Sequence, residues 1–123
     1  MSLLPRIVLP WTKTSDLSSN SRLHWRKQHT LRTRQKRMAD ALAREAGWHK
    51  VTLPADARLV LRIIYCPPNR VSKVDDDNII TAHKGARDAL AKVLGIDDSQ
   101  FTTVAERGEK CRSGAIIITV EAV

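Results

Sequence analysis

Val74-Asp75-Asp76-Asp77-Asn78 sets three consecutive carboxylates in a chain of net charge +8, from 21 basic and 13 acidic residues. Carboxylates this close repel one another unless a cation or hydrogen bonds neutralise them. In extended backbone side chains alternate, so Asp75 and Asp77 point to one side. Two carboxylates on one side can grip a hard divalent cation such as Mg²⁺. A second acidic pair, Asp97-Asp98, follows further along. It can join the first only if the chain returns, with the strand after Asp98 pairing near residues 60–75. At helical spacing Asp77, Thr81, Lys84 and Asp88 form a polar stripe, so Lys84 projects to the side of Asp77, where its charge could stabilise a phosphate oxygen. Simpler roles compete with each assignment. Asp76 or Asp77 could cap a helix, Asp97-Asp98 could be a turn, and Lys84 could pair with Asp88. The stretch does not read as an EF-hand calcium loop, lacking the turn glycine and the closing glutamate.

The other chemical signal is cationic. From Ser21 to Ala39 there is no acidic residue, while Arg22, Arg26, Lys27, Arg32, Arg34, Lys36 and Arg37 fall in the same span with His24 and His29. On a helical wheel Arg26, Arg37 and Arg44 cluster on one side, with Lys27 and Arg34 beside them. A phosphate backbone is the natural complement of such a face. Arg70 and Lys73 add cations just before the aspartates. Trp25 and His24 could stack on an exposed base, but the large apolar area of tryptophan favours packing beneath the start of the helix.

These residues need a frame. Residues 3–9 read as a short strand and residues 12–21 as a polar loop. A long helix over 24–46 ends at Gly47, with Leu31, Met38, Leu42 and Ala46 facing the core. Residues 57–66 read as a strand stopped by Pro67-Pro68. A second helix over 77–94 turns Ile79, His83, Ala86, Leu90, Val93 and Leu94 to one apolar face, making His83 a core residue, and Gly95 closes it. Strands over 101–107 and 114–122 flank GEKCRSG, which reads as a hairpin turn. The order β-α-β-α-β-β predicts one α+β domain over residues 1–123, with two main helices on a small mixed sheet.

With 123 residues, 42% of them hydrophobic, the chain can bury one core unaided. Cys66 and Cys111 are too few for a disulfide framework and read as reduced thiols. Pro5, Arg6 and Pro10 interrupt the amino-terminal apolar stretch, so it does not read as a signal peptide, and no apolar run is long enough to span a bilayer. The expectation is a cytoplasmic protein without a membrane partner.

Asp75-x-Asp77-Asn78, then a helix with Lys84 and Asp88-Ala89-Leu90, then Gly95-Ile96-Asp97-Asp98-Ser99-Gln100, resembles the RusA family of Holliday junction resolvases. So does Asn20-Ser21-Arg22-Leu23-His24-Trp25 leading into a basic helix, as in phage-borne members. The resemblance covers about residues 18–107. It implies a magnesium-dependent endonuclease, with Mn²⁺ as a substitute, that cuts four-way DNA junctions. It assigns Asp75, Asp77 and Asp98 to the metal, Asp97 as an accessory ligand, and Lys84 to catalysis. It further implies a homodimer and a bacterial or phage-encoded, nucleoid-associated location. Lys84 stands about one helical turn (~4.5 Å) further along than in the shorter form of the motif. The competing expectations are a branched-DNA-binding protein without catalysis and a nuclease for flaps or forks. A membrane-surface binder would need a more apolar amphipathic helix than this chain offers.

Overall fold

The computed structural model describes residues 4–11, 24–69 and 74–123. It contains strands β1 (Ile7–Pro10), β2 (Leu59–Cys66), β3 (Phe101–Arg107) and β4 (Ala115–Ala122), and helices α1 (Trp25–Glu45), α2 (Asp76–Ala82) and α3 (Lys84–Leu94). Single 3-10 turns occupy Trp48–Lys50 and Asp98–Gln100. The fold is the expected α+β domain, with a four-stranded mixed sheet in the order β1-β4-β2-β3.

Alternation dictates which face of the sheet is covered. On β2, Leu59, Leu61, Ile63 and Tyr65 are buried; on β4, Ile116, Ile118 and Val120; on β1, Ile7 and Leu9. These period-two residues share one face, and the core they build also takes in Ala39 and Ala43 of α1 and Ile79, Ala86 and Leu90 of α2 and α3. Trp48 is fully buried beside them and donates its indole N–H to the Pro5 carbonyl at 2.8 Å. On the opposite face Arg62 bridges Glu106 at 2.8 Å and Glu121 at 3.5 Å, joining the three strands around β2.

Two expectations are corrected here. The last two strands are not a hairpin. β3 runs parallel to β2, from Leu59↔Phe101 to Tyr65↔Arg107, while β4 pairs antiparallel with the other edge of β2 and with β1. The segment 108–114 is too long for a tight turn. It crosses the end of β2, with Gly108 N–H donating to Tyr65 O at 2.9 Å and Cys111 N–H to Pro67 O at 3.1 Å. Burial explains the order: β4 is rich in isoleucine and takes an interior place, while FTTVAER, polar and charged, stands at the edge.

Nor is the second helix continuous. It breaks at His83. In an unbroken helix Ala86 N–H would donate to Ala82 O. Here the Gln35 side chain lies between them, donating from Nε2 to Ala82 O at 3.0 Å and accepting the Ala86 N–H on Oε1 at 3.1 Å. A side chain inserted into the ladder is a recognised cause of a kink. The close approach needs Gly85, where a Cβ would stand 3.2 Å from Gln35 Oε1 and 3.3 Å from Lys36 Cγ.

His83 itself is 1% exposed, as its place on the apolar face predicts, and its Nδ1–H donates to Ile79 O at 2.8 Å. Burial holds its pKa below the ordinary 6.5. The folded chain therefore keeps a neutral ring where the unfolded chain takes up a proton, and stability falls as pH drops through 6.5. The urea midpoint should fall between pH 7.5 and 5. The fall should be shallower in His83→Leu; equal pH dependence in the two proteins would contradict this.

Candidate metal and nucleic-acid site

Asp75, Asp76 and Asp77 stand exposed at the start of α2, beside the carboxyl-terminal ends of β2 and β3. Asp75 is the N-cap, its Oδ1 accepting the Asp77 N–H at 2.8 Å. Asp76 accepts the Tyr65 hydroxyl, which anchors the helix start to the end of β2. Burial, then the bond to Asp76, pushes the Tyr65 pKa up to about 12. The cap assignment expected for Asp76 or Asp77 thus belongs to Asp75. Asp77 carries its carboxylate on the exposed first turn with no side-chain bond among the described residues. The three negative charges also face the positive end of α2, which favours them.

Asp75→Asn separates the two roles of that residue. Asparagine caps as well as aspartate, so Asp75→Asn should leave the urea midpoint unchanged, while Asp75→Ala should cost about 1 kcal/mol. An equal loss in both would mean that the charge, not the cap, holds the helix start.

Asp98 is not brought to this cluster. The return of the chain occurs as expected, since β3 pairs with β2, but the pairing is parallel. Asp98 precedes β3 at the Leu59 end, and Asp76 is tied to Tyr65 at the other end. Six residue steps separate those levels, roughly 20 Å of strand. Among the described residues no group of three His, Cys, Asp or Glu side chains is close enough to hold an ion. Within one chain the described residues therefore do not bring Asp97 and Asp98 to Asp75 and Asp77.

What Asp98 meets instead is Asp88 of α3, with Arg87 Nη2 3.9 Å away. Burial, and then the hydrogen bond and charge of Asp98, hold the Asp88 carboxyl above the usual carboxylate range. The Lys84–Asp88 ion pair is therefore absent among the described residues, and Lys84 is exposed at the head of α3. Asp97 caps the 3-10 turn in a capping box with Gln100. Asp97 accepts the Ser99 N–H at 3.1 Å and the Ser99 hydroxyl, while Gln100 Oε1 accepts the Asp97 N–H at 3.0 Å. Those Ser99 bonds lower the Asp97 pKa.

The cationic helix divides in two. Gln35, Ala39 and Ala43 are its buried residues, and Met38, Leu42 and Ala46 flank them against the core. Leu31, expected to join that stripe, is only half-buried and outside it. From His24 to Arg34 no side chain is buried. Arg26, Lys27, Arg32, Arg34, Lys36 and Arg37 are all exposed, and none forms an ion pair among the described residues. Arg34 and Arg37 border a shallow depression with His29, Thr30 and Thr33. The first acidic residue, Asp40, is already paired with Arg44 at 2.9 Å. Trp25 does not pack beneath the helix start; it is 66% exposed. Arg22, Arg70 and Lys73 lie outside the described residues.

Two residues that organise this region, Gln35 and Tyr65, were not singled out in the sequence. Gln35 had one signal, as an uncharged residue between Arg34 and Lys36. Tyr65 had only its place at the end of the strand that leads to the aspartates.

Fold and site together define a small α+β domain bearing an exposed aspartate cluster and a cationic helix. The chain belongs to the same family as an uncharacterized protein of Xylella fastidiosa (strain Temecula1 / ATCC 700964), 36% identical over 118 residues that cover 95% of this chain and 76% of that protein. No protein-family model matches it. Among the described residues no helix is long and apolar enough to cross a membrane.

Proposed function

We propose that this protein is a magnesium-dependent, structure-specific endodeoxyribonuclease acting on four-way DNA junctions, as its resemblance to the RusA resolvases implies. The observation that carries the reading is the exposure of Asp75 and Asp77 on the first turn of α2, in a chain whose longest helix presents cations from Arg26 to Arg37 that form no ion pair among the described residues. Asp75 and Asp77 fit a magnesium ion. They are hard oxygen donors in open solvent, and magnesium keeps several of its waters and needs only one or two carboxylates. When bound, the ion would neutralise charge on the scissile phosphate.

The chain's own residues would do the rest. Asp75 spends one oxygen on its cap and has the other for the ion. Asp76 and Tyr65 hold the helix start against β2. Lys84, exposed just beyond the break, would steady negative charge on a phosphate oxygen. α1 would hold the junction arms by their phosphates, so position is set by backbone contacts and selection by shape. Asp98, 3.9 Å from Arg87 Nη2 at the other end of β2, would not share that ion within one protomer. A homodimer would present two such sites to the two strands of a junction.

Relative turnover tests the substrate. Four-way junctions, flaps and forks of matched sequence should be cut in Mg²⁺ with the junction fastest. A faster flap or fork would reassign the substrate within the nuclease class. Binding to all three with cleavage of none would leave a branched-DNA-binding protein.

A further inference from the structure

The amino-terminal tip of α1 carries a feature that phosphate binding does not use. Trp25 exposes two thirds of its surface, where tryptophan normally buries a large apolar area. His24 caps the helix, its Nδ1 accepting the Arg26 N–H at 3.2 Å, which fixes the imidazole. That ring lies 5.7 Å from the Trp25 ring, centroid to centroid, at an interplanar angle of 29°. The Arg26 guanidinium sits 5.3 Å from the indole centroid. With both neighbours in place Trp25 is still 66% exposed. The exposed half-helix behind it carries Lys27, Arg32 and Arg34 and no carboxylate.

A largely exposed aromatic ring beside a run of cations matches one kind of occupant. Single-stranded nucleic acid combines a backbone that wants cations with bases that stack on aromatic side chains. A paired duplex keeps its bases inside and offers only phosphates to such a surface. We infer that Trp25, held by His24 and Arg26, is a stacking platform for an unpaired nucleobase, such as one splayed out at a branch point. This rests on the nucleic-acid reading above and adds to it the part of the substrate that is recognised.

The test uses the full chain in EDTA and three fluorescein-labelled DNAs: a 20-base-pair duplex, the same duplex with a three-thymine bulge, and that bulge built from abasic nucleotides. The bulged pair have equal phosphate charge and differ only in bases. Wild type should bind the thymine bulge about tenfold tighter than the abasic one, a typical gain for one stacked base. Trp25→Ala should bring the ratio to near one with duplex affinity unchanged, and Trp25→Phe should restore most of it. An exposed residue can be replaced without loss of the fold, and an unchanged thermal transition checks this. Equal binding of the two bulges by wild type, or a preference that survives in Trp25→Ala, overturns the platform while duplex binding keeps the nucleic-acid reading. Failure to bind any of the three overturns that reading and the platform together.

Discussion

Gln35→Met should destabilise the protein by about 2–4 kcal/mol, a large share of the stability of a domain this size. The side chains are similar in length, so the change removes two hydrogen bonds rather than volume. Ala82 O loses the Nε2 donor and Ala86 N–H loses the Oε1 acceptor, both in a buried place. A buried polar group left without a partner costs about 1–3 kcal/mol. One escape exists: α2 and α3 could straighten until Ala86 N–H meets Ala82 O, as in an ordinary helix. That would move the start of α2 against β2 and strain the contact between Asp76 and Tyr65. Urea denaturation checks the magnitude. A midpoint within experimental error of wild type would show that the break survives without Gln35. Because Gln35 lies on the cationic helix and holds the junction next to Lys84, cleavage should also slow by more than the loss of folded protein.

The second large effect concerns α1. Arg34→Glu with Arg37→Glu should weaken junction binding by about 100-fold or more at 50 mM salt, and the slope of log affinity against log salt should flatten by about two. Each arginine that contacts a phosphate releases about one counterion, so removing two contacts removes two units of slope. Reversal rather than neutralisation adds repulsion from the phosphates themselves. Both residues are exposed and unpaired within the described residues, so the fold has no stake in them. Unchanged affinity and slope at every salt concentration would remove α1 from the interface.

Much of this was legible in the chain. β-rich runs bounded by proline and glycine placed β2, β3 and β4, the 3.6-residue pattern placed both helical stretches, and the strand read over 3–9 lies at Ile7–Pro10; the apolar face of the second helical stretch is buried as expected from Ile79 to Leu94. The aspartate cluster at the head of that helix was visible as charge out of character with its surroundings. What was hidden is tertiary. The break at His83 is made by Gln35, 47 residues from Ala82, and no local pattern around 82–86 announces it. The parallel pairing of β3 sets Asp98 apart from Asp75, and strand composition does not encode a partner's direction. The exposure of Trp25 depends on where the body of the protein ends, which its own sequence neighbourhood does not reveal.

Metal-dependent cleavage by the exposed aspartates is directly testable. The most direct measurement is incubation of a labelled four-way junction with wild type and with Asp77→Asn, each in Mg²⁺ and in EDTA. Asp77 makes no side-chain bond among the described residues, so the variant should remain folded and bind DNA. Wild type should make paired cuts near the crossover in Mg²⁺ alone, and Asp77→Asn should lose about 100-fold or more of that rate with binding retained. Cleavage by Asp77→Asn at the wild-type rate, or cleavage that persists in EDTA, would contradict it.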